Sequence, residues 1–337
     1  YQTFELFKIF NIKTIFIGDC QHNCELDYNV IICINMSIDY IPSNFEYKYI
    51  FIDEAHHVEQ DESKIKDKIK ELPYDKLISF TATFKNEEAI DYDYSIEKAE
   101  LNGYITPYKF NIEYFTDGNK LDGLIKVISE KQDWFPALIY FNNTDRTKAF
   151  SKKLELNGIK STYIIGDTPS ADRNRIKEDF KNNKINIICL CGCWNEAISI
   201  DEVQSVIFGD LRHSDINKIQ IAMRGNRIHN TKPFYRIVLP LIENDFNNDN
   251  LHDLLLSFSK RDSRIKKAIE NKSISKIKVT INNNNNNNNE FNAEYLYEEV
   301  YDRMGNILEN NADRWFYKLN QVNDYISKYN KLPSYSD

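Results

Sequence analysis

No uninterrupted apolar run of about 18 residues occurs in the 337-residue chain, so no helical membrane span is expected. Nor does a cationic stretch followed by an apolar one open it, and no secretory signal is expected. A Gly-x-x-x-x-Gly-Lys-Ser/Thr segment is missing throughout, so these residues hold no loop whose amides and lysine cradle nucleotide phosphates. Excess positive charge is absent too: 43 Lys and Arg stand against 51 Asp and Glu, a net charge of −8. That argues against wholesale coating of nucleic acid and leaves local basic patches or backbone groups as the route to such a partner. Cysteine is scarce, at six residues, and its placement suits a reducing compartment. Cys189, Cys191 and Cys193 alternate along one expected strand and share a face, while Cys33 lies in another apolar run. Cys20, His22 and Cys24 form a tight group able to touch a metal, but no second pair stands at zinc-site spacing and no zinc is expected. A soluble, intracellular protein is the expectation.

What is present centres on residues 49–59, Tyr-Ile-Phe-Ile-Asp-Glu-Ala-His-His-Val-Glu. The apolar run 49–52 reads as a fully buried parallel strand, ending in Asp53 and Glu54. Two carboxylates at the carboxyl end of such a strand face the crevice where open α/β sheets bind ligands, and a nucleotide-bound Mg²⁺ needs hard oxygen partners there. Glu54 could then polarise an attacking water. Alone, the same letters also fit an acidic turn capping a helix.

The length favours about two domains. Residues 14–17, 30–34 and 76–80 read as further strands, 37–40 as a turn or helix start, and 63–72 as a charged helix. A second series follows residue 107. It has strands at 137–141, 161–165, 185–190, 205–208 and 236–240, a helix over 144–156 ending at Asn157-Gly158, and another led by Thr168 and Pro169 and running to 180. Strands alternating with helices predict parallel sheets covered on both faces. The opening Tyr-Gln-Thr-Phe-Glu-Leu-Phe reads as the middle of an amphipathic helix, so a fragment is expected.

These residues carry a resemblance: the chain resembles superfamily 2 helicases of the DEAH-like kind, including those of giant DNA viruses. Asp53-Glu54-Ala55-His56 stands where that family has motif II, and Thr81-Ala82-Thr83 where it has motif III. Residues 137–141 match motif IV, 166–175 the segment after it, 194–208 motif V and 220–227 motif VI. The resemblance covers about residues 1–275 and implies two RecA-like lobes that use ATP and Mg²⁺ and act on DNA or RNA. It implies Asp53 and Glu54 at the metal, with Glu54 activating water. His56, Gln220 and Arg224 would lie at the nucleotide, and Thr81, Ala82 and Thr83 would couple nucleotide state to movement. Phe141, Asn142, Asn143 and Asn195 are candidate nucleic-acid contacts.

Physical arguments stand beside the resemblance. A helix through Gln220, Arg224 and Arg227 places all three on one face, and guanidinium forks suit phosphate oxygens, so both arginines are expected to stabilise phosphoryl transfer. An ordinary solvated helix is the bland alternative. Hydroxyls such as Thr81 and Thr83 at a strand end could bond the motif II residues or merely satisfy their own turn. Departures from the family also matter: Ala197 and Ser199 replace a glycine and an aspartate of motif V, and Met223 a glycine of motif VI.

Beyond the second lobe, residues 251–278 read as helical. Between Lys260 and Lys278, eight Lys and Arg face two Asp and Glu, a patch that could bind phosphates or pack on the lobe through Leu254, Leu255, Phe258 and Ile265. The asparagine tract 282–289 reads as a linker. Residues 293–300 are expected to be helical, and Trp315, Leu319, Val322 and Ile326 make one helical face resembling half of a helicase-associated repeat. The expected division is a first lobe at 1–106, a second at 107–246, a basic extension at 247–281, a linker at 282–292 and a partial repeat at 293–337. The expected activity is ATP-coupled unwinding or translocation by a motor incomplete in these residues. A double-strand translocase shares the motifs, and a helicase-derived nucleic-acid-binding protein without ATPase activity is the alternative. Oligomeric state is not legible.

Overall fold

In a computed structural model of the chain, residues 2–18, 28–55, 58, 64–81, 90–116, 119–192, 201–211, 215–283, 293–309, 322 and 326 are described. They divide into two units, 1–91 and 92–337. The Cys20-His22-Cys24 group, Cys193, residues 284–292 and most of 310–337 lie outside the described residues.

The first unit runs α1 (Gln2–Ile9), β1 (Thr14–Ile17), β2 (Val30–Cys33), a 3-10 turn (Asn35–Tyr40), β3 (Tyr47–Ile52), α2 (Lys64–Glu71) and β4 (Tyr74–Ser79). β1 pairs in parallel with β2, and β3 with β4, as two separate sheets. The expected strands are present, but residues 49–52 are not fully buried. Tyr49 is 45% and Phe51 62% exposed, and Phe51 stacks between Tyr49 and Phe80 at centroid distances of 6.0 and 6.2 Å. A two-stranded pair has no inner position, so a run that is apolar on both faces cannot be covered by its own sheet. In β2, Cys33 is half-buried, and burial pushes its thiol up to about 11.

The second unit contains α3 (Ile96–Leu101), β5 (Tyr108–Phe115), α4 (Lys120–Glu130), β6 (Ala137–Phe141), α5 (Thr144–Leu156), β7 (Ser161–Ile164), α6 (Ser170–Lys181), β8 (Ile187–Cys191), β9 (Ser205–Phe208), α7 (Asp215–Ala222), β10 (Tyr235–Leu241), α8 (Asp249–Arg261), α9 (Ser263–Glu270), β11 (Ile277–Asn282) and α10 (Ala293–Glu309). Seven strands form one parallel sheet in the order β11-β5-β10-β9-β6-β8-β7. Every inner strand is buried on both faces, which explains the unbroken apolar runs. Along β6, Ala137, Ile139 and Phe141 join Leu124 and Ile128 of α4 and Phe150 and Leu154 of α5. Leu138 and Tyr140 point the other way, into a core shared with Phe180, Ile219, Leu254, Phe258, Ile265 and Met304. Helices thus cover both faces, the doubly wound arrangement.

Two strands escape the sequence reading. β5 alternates Tyr108, Phe110, Ile112 and Tyr114 with polar residues, yet all four are buried between β10 and β11. β11 carries Ile277, Val279 and Ile281 at period two and pairs with β5 from Phe110 to Phe115. A helix continuing to residue 278 is therefore replaced by a strand from Ile277. The units part between residues 91 and 92 rather than after 106, because α3 is tied to the second unit: Glu97 accepts from Ser263, and Glu100 from Arg264 and Lys276. Past the asparagine tract, α10 buries Val300, Tyr301, Met304 and Ile307 in the same core as β11.

Three of the eight cations of the basic extension pair with carboxylates distant in sequence: Arg264 and Lys276 with Glu100, and Lys272 with Glu298 and Asp302, while Arg264 also pairs with the nearby Asp262. Leu254, Leu255, Phe258 and Ile265 are fully buried, so this segment packs on the lobe as one of the two readings requires.

Glu113 of β5 is buried with Asn282 Nδ2 donating to it at 3.0 Å. Burial raises its carboxyl above the ordinary range, against the Asn282 hydrogen bond and the charges of Lys131 and Lys278. A raised native value means that its contribution is present below the ordinary glutamate range and lost as pH rises through the native value. Glu113→Gln is therefore expected to gain on the order of 1 kcal/mol at pH 7 over the parent, the two converging near pH 4. Urea titrations at both pH values check it.

Candidate functional site at the carboxyl edges of the sheets

β3 ends at Ile52, and the chain turns through Asp53 and Glu54. Glu54 is not glycine, yet its φ is +48°, in the left-handed region that side chains rarely adopt. Such positions persist where surrounding bonds over-determine them. Here Asp53 Oδ1 accepts from Glu54 N at 2.9 Å, Ala55 N donates to Phe80 O at 2.9 Å, and Phe80 N donates to Ile52 O at 2.8 Å. These bonds clamp the acidic turn against the end of β4, directly before Thr81. The acidic turn and Thr81 are thereby brought together. Asp53 is exposed and Glu54 half-buried. His56, Ala82 and Thr83 lie outside the described residues.

In the second unit the strand order reverses between β6 and β9, and the crevice outside their carboxyl ends is the usual ligand position in such sheets. Asn142 and Asn143 follow β6, and Asp210 follows β9. Asn142 N donates to Asp210 Oδ2 at 3.1 Å, and Arg146, from the first turn of α5, pairs with Asp210 Oδ1. Asn143 caps α5, its Oδ1 accepting from Arg146 N at 2.9 Å. Both side-chain polar atoms of Asn142 are buried without a hydrogen-bond partner among the described residues, a cost that a polar ligand at this edge would relieve.

Phe141 is a correction. Its ring is fully buried, 5.1 Å from that of Phe150, and cannot stack on a base, because the alternation that makes it apolar also turns it inward. It lies against Gly209, where an added Cβ would sit 2.3 Å from Phe141 Cε1. Gly209→Ala is expected to cost about 1–3 kcal/mol by overpacking; a urea titration measures it. Asn195, Ala197 and Ser199 lie outside the described residues.

Motif VI also departs from expectation. α7 stops at Ala222, Arg224 sits in a 3-10 turn (Met223–Gly225), and Arg227 lies beyond it, so one helical face does not carry all three residues. The carbonyls that would continue the helix are taken from outside: Gly225 O by Lys232 Nζ at 2.7 Å, Asn226 O by Thr106 N at 2.7 Å and Arg227 O by Thr106 Oγ1 at 2.7 Å. Tyr235 closes the turn from below, since a Cβ on Gly225 would meet its ring at 2.4 Å. Tyr235 Oη donates to Met223 Sδ at 3.2 Å. Gln220 and Arg224 are half-buried, and the exposed Arg227 reaches Asp201 at 3.5 Å. Sequence reading missed Arg146, Asp210, Thr106 and Lys232. None of them stands in a motif that marks its role, and each acts through a partner far along the chain, Lys232 through Asp201 as well as the nearby Gly225.

The family described as "Helicase conserved C-terminal domain" matches residues 119–229. The ATP-dependent RNA helicase DeaD of Buchnera aphidicola is 29% identical over 94 residues, 28% of this chain and 16% of that protein. Matches to a Lactococcus phage protein and a Saccharomyces cerevisiae helicase cover 21% and 15% of their lengths, so the chain spans well under two thirds of these relatives. Among solved structures, the ATP-dependent Type ISP restriction-modification enzyme LlaBIII bound to DNA shares the fold at a TM-score of 0.66, 16% identity and 90% of this chain against 27% of that one. Saccharomyces cerevisiae Dbp5 bound to RNA and ADP BeF3 does so at 0.54, 16% identity, and 90% against 76%. No helix among the described residues is long and apolar enough to cross a membrane. The chain therefore carries, over residues 119–229, a match to the helicase conserved C-terminal domain on a seven-stranded parallel sheet of the RecA-like helicase kind.

Proposed function

We propose that the chain belongs to an ATP-dependent motor that unwinds or moves along DNA or RNA. The observation that carries this reading is the β6–β9 crevice inside the helicase-matching segment, where Asn142, Asn143 and Arg146 gather at the switch point and the side-chain polar atoms of Asn142 are buried without a partner among the described residues. Backbone amides, amide side chains and one arginine at such an edge suit sugar-phosphate contact that does not depend on base sequence, and an acidic protein can make it.

The residues present fit a Mg²⁺–nucleotide in chemistry, since Asp53 and Glu54 supply hard oxygens on a turn held in one conformation. Bound ATP supplies the phosphoryl group. Asp53 would hold the metal ion, the Glu54 carboxylate would take the proton of the attacking water, and Gln220, Arg224 and Arg227 would offer donors to phosphate oxygens as negative charge develops. His56 would contact the nucleotide, and Thr81, with Ala82 and Thr83, would relay its state to the strand end that Ala55 already touches.

A second reading, nucleic-acid binding without hydrolysis, is favoured by Ala197 and Ser199 and by the lack of a phosphate loop in these 337 residues. ATP hydrolysis by the full-length protein, with and without single-stranded DNA and RNA, separates the two. Stimulated hydrolysis lost in Glu54→Gln supports the motor, and binding without hydrolysis supports the second reading.

A further inference from the structure

We infer that Lys232 is a positioning residue that locks the motif VI turn to the motif V segment at Asp201, and so sets where Arg224 and Arg227 stand. The assignment of those arginines rests on the motor reading; the bridge itself does not. Lys232 Nζ, almost wholly buried, donates to Gly225 O at 2.7 Å and to Asp201 O at 2.8 Å. Its ammonium thus joins two segments that no strand pairing connects at those residues. Thr106, also buried, takes the next two carbonyls, so three consecutive carbonyls of the turn have external donors. A buried ammonium serving two carbonyls makes charge-assisted bonds, roughly twice as strong as neutral ones. Arg227 adds a contact to the Asp201 side chain, so the same two segments meet on both sides of the lysine.

Charged and titratable groups facing the lysine are Asp201 and Glu202 before β9 and Tyr235 of β10, whose ring centroid is 6.0 Å from Nζ. Burial lowers the ammonium to about 8, against the attraction of Asp201 and Glu202. Raising pH from 7 to 9 therefore discharges it and weakens both bonds while leaving the amine in place.

The test is hydrogen exchange of the full chain read by mass spectrometry, comparing the parent with Lys232→Met and Lys232→Arg. Lys232→Met is expected to speed exchange about tenfold or more in two separate stretches, 201–205 and 223–230, and to leave β6 and β8 unchanged. Arginine, with donors for two carbonyls, restores protection. After correction for base catalysis, the parent loses protection in the same stretches between pH 7 and 9, and Lys232→Arg does not. Unchanged exchange in Lys232→Met, or loosening spread evenly through the sheet, overturns the bridge whether or not the protein hydrolyses ATP. Where the parent does hydrolyse ATP, a fall in kcat of about tenfold or more with KM for ATP held supports the positioning of the arginines. Local loosening with kcat intact overturns that part alone. A parent that shows no hydrolysis counts against the motor reading and leaves the exchange result to decide the bridge.

Discussion

On the proposed motor reading, Glu54→Gln in the full-length protein is expected to lower nucleic-acid-stimulated ATP hydrolysis by about 10²–10⁴-fold, the range for removing a general base, while fold and nucleotide affinity stay as they are. Glutamine preserves the volume of the side chain and tolerates the same left-handed backbone at φ +48° about as well as glutamate. The clamp on the turn also survives, because its bonds run through Asp53 Oδ1 and the backbone of Ile52, Ala55 and Phe80 rather than through the Glu54 carboxylate. What the amide cannot do is accept a proton. Steady-state hydrolysis with saturating single-stranded nucleic acid, beside a nucleotide-binding measurement on the same variant, checks both halves. Full hydrolysis in Glu54→Gln would sink the base assignment, whereas lost binding would move Glu54 from proton transfer to holding the metal ion.

Asp262→Ala is expected to destabilise the second unit by about 3 kcal/mol or more, within the range for breaking a buried ion pair. The carboxylate is completely buried. Tyr108 Oη donates to it at 2.8 Å, Arg264 donates through Nε at 2.8 Å and Nη2 at 2.7 Å, and Lys276 Nζ lies 3.8 Å away. It also caps α9 by accepting from Arg264 N at 3.1 Å. Glu100 still faces both cations in the variant, which holds the cost near the lower end, while loss of the cap adds about 1 kcal/mol. Burial by itself would raise this carboxyl, but hydrogen bonds from Arg264 and Tyr108 and the charge of Lys276 hold it below the usual range. A depressed native value means the stabilisation is present above the ordinary aspartate range and is lost as pH falls through the native one. Urea titrations at pH 7 and in acid measure the loss and its pH dependence. Asp262→Asn, which keeps an acceptor for the cap, should lose less. An alanine variant within about 1 kcal/mol of the parent would mean that the network is offset by its own desolvation.

The strands and helices of strongest local signal were legible. β6 and α5 begin and end where an apolar run and the Asn157-Gly158 cap place them, because strand burial and helix termination there are written in adjacent residues. β5 and β11 were not, since their polar alternation looks half-exposed until pairing with each other and with β10 buries it. The cationic stretch left two readings open for the same reason: local composition sees eight positive charges, and only the fold brings Glu100, Glu298 and Asp302 to three of them, Arg264, Lys272 and Lys276.

Residue types and their order determined which chemistry this chain could hold: an acidic turn after an apolar strand, hydroxyls after the next, and arginines at the end of a helix. Tertiary structure decided where that chemistry points. It turned Phe141 into the core and brought Asn142 beside Asp210 from 68 residues away. It also ended α7 before Arg224 by giving the turn's carbonyls to Lys232 and Thr106. Period and propensity are properties of neighbours along the chain, whereas a carbonyl's partner or a ring's burial depends on residues that only the completed sheet brings within reach.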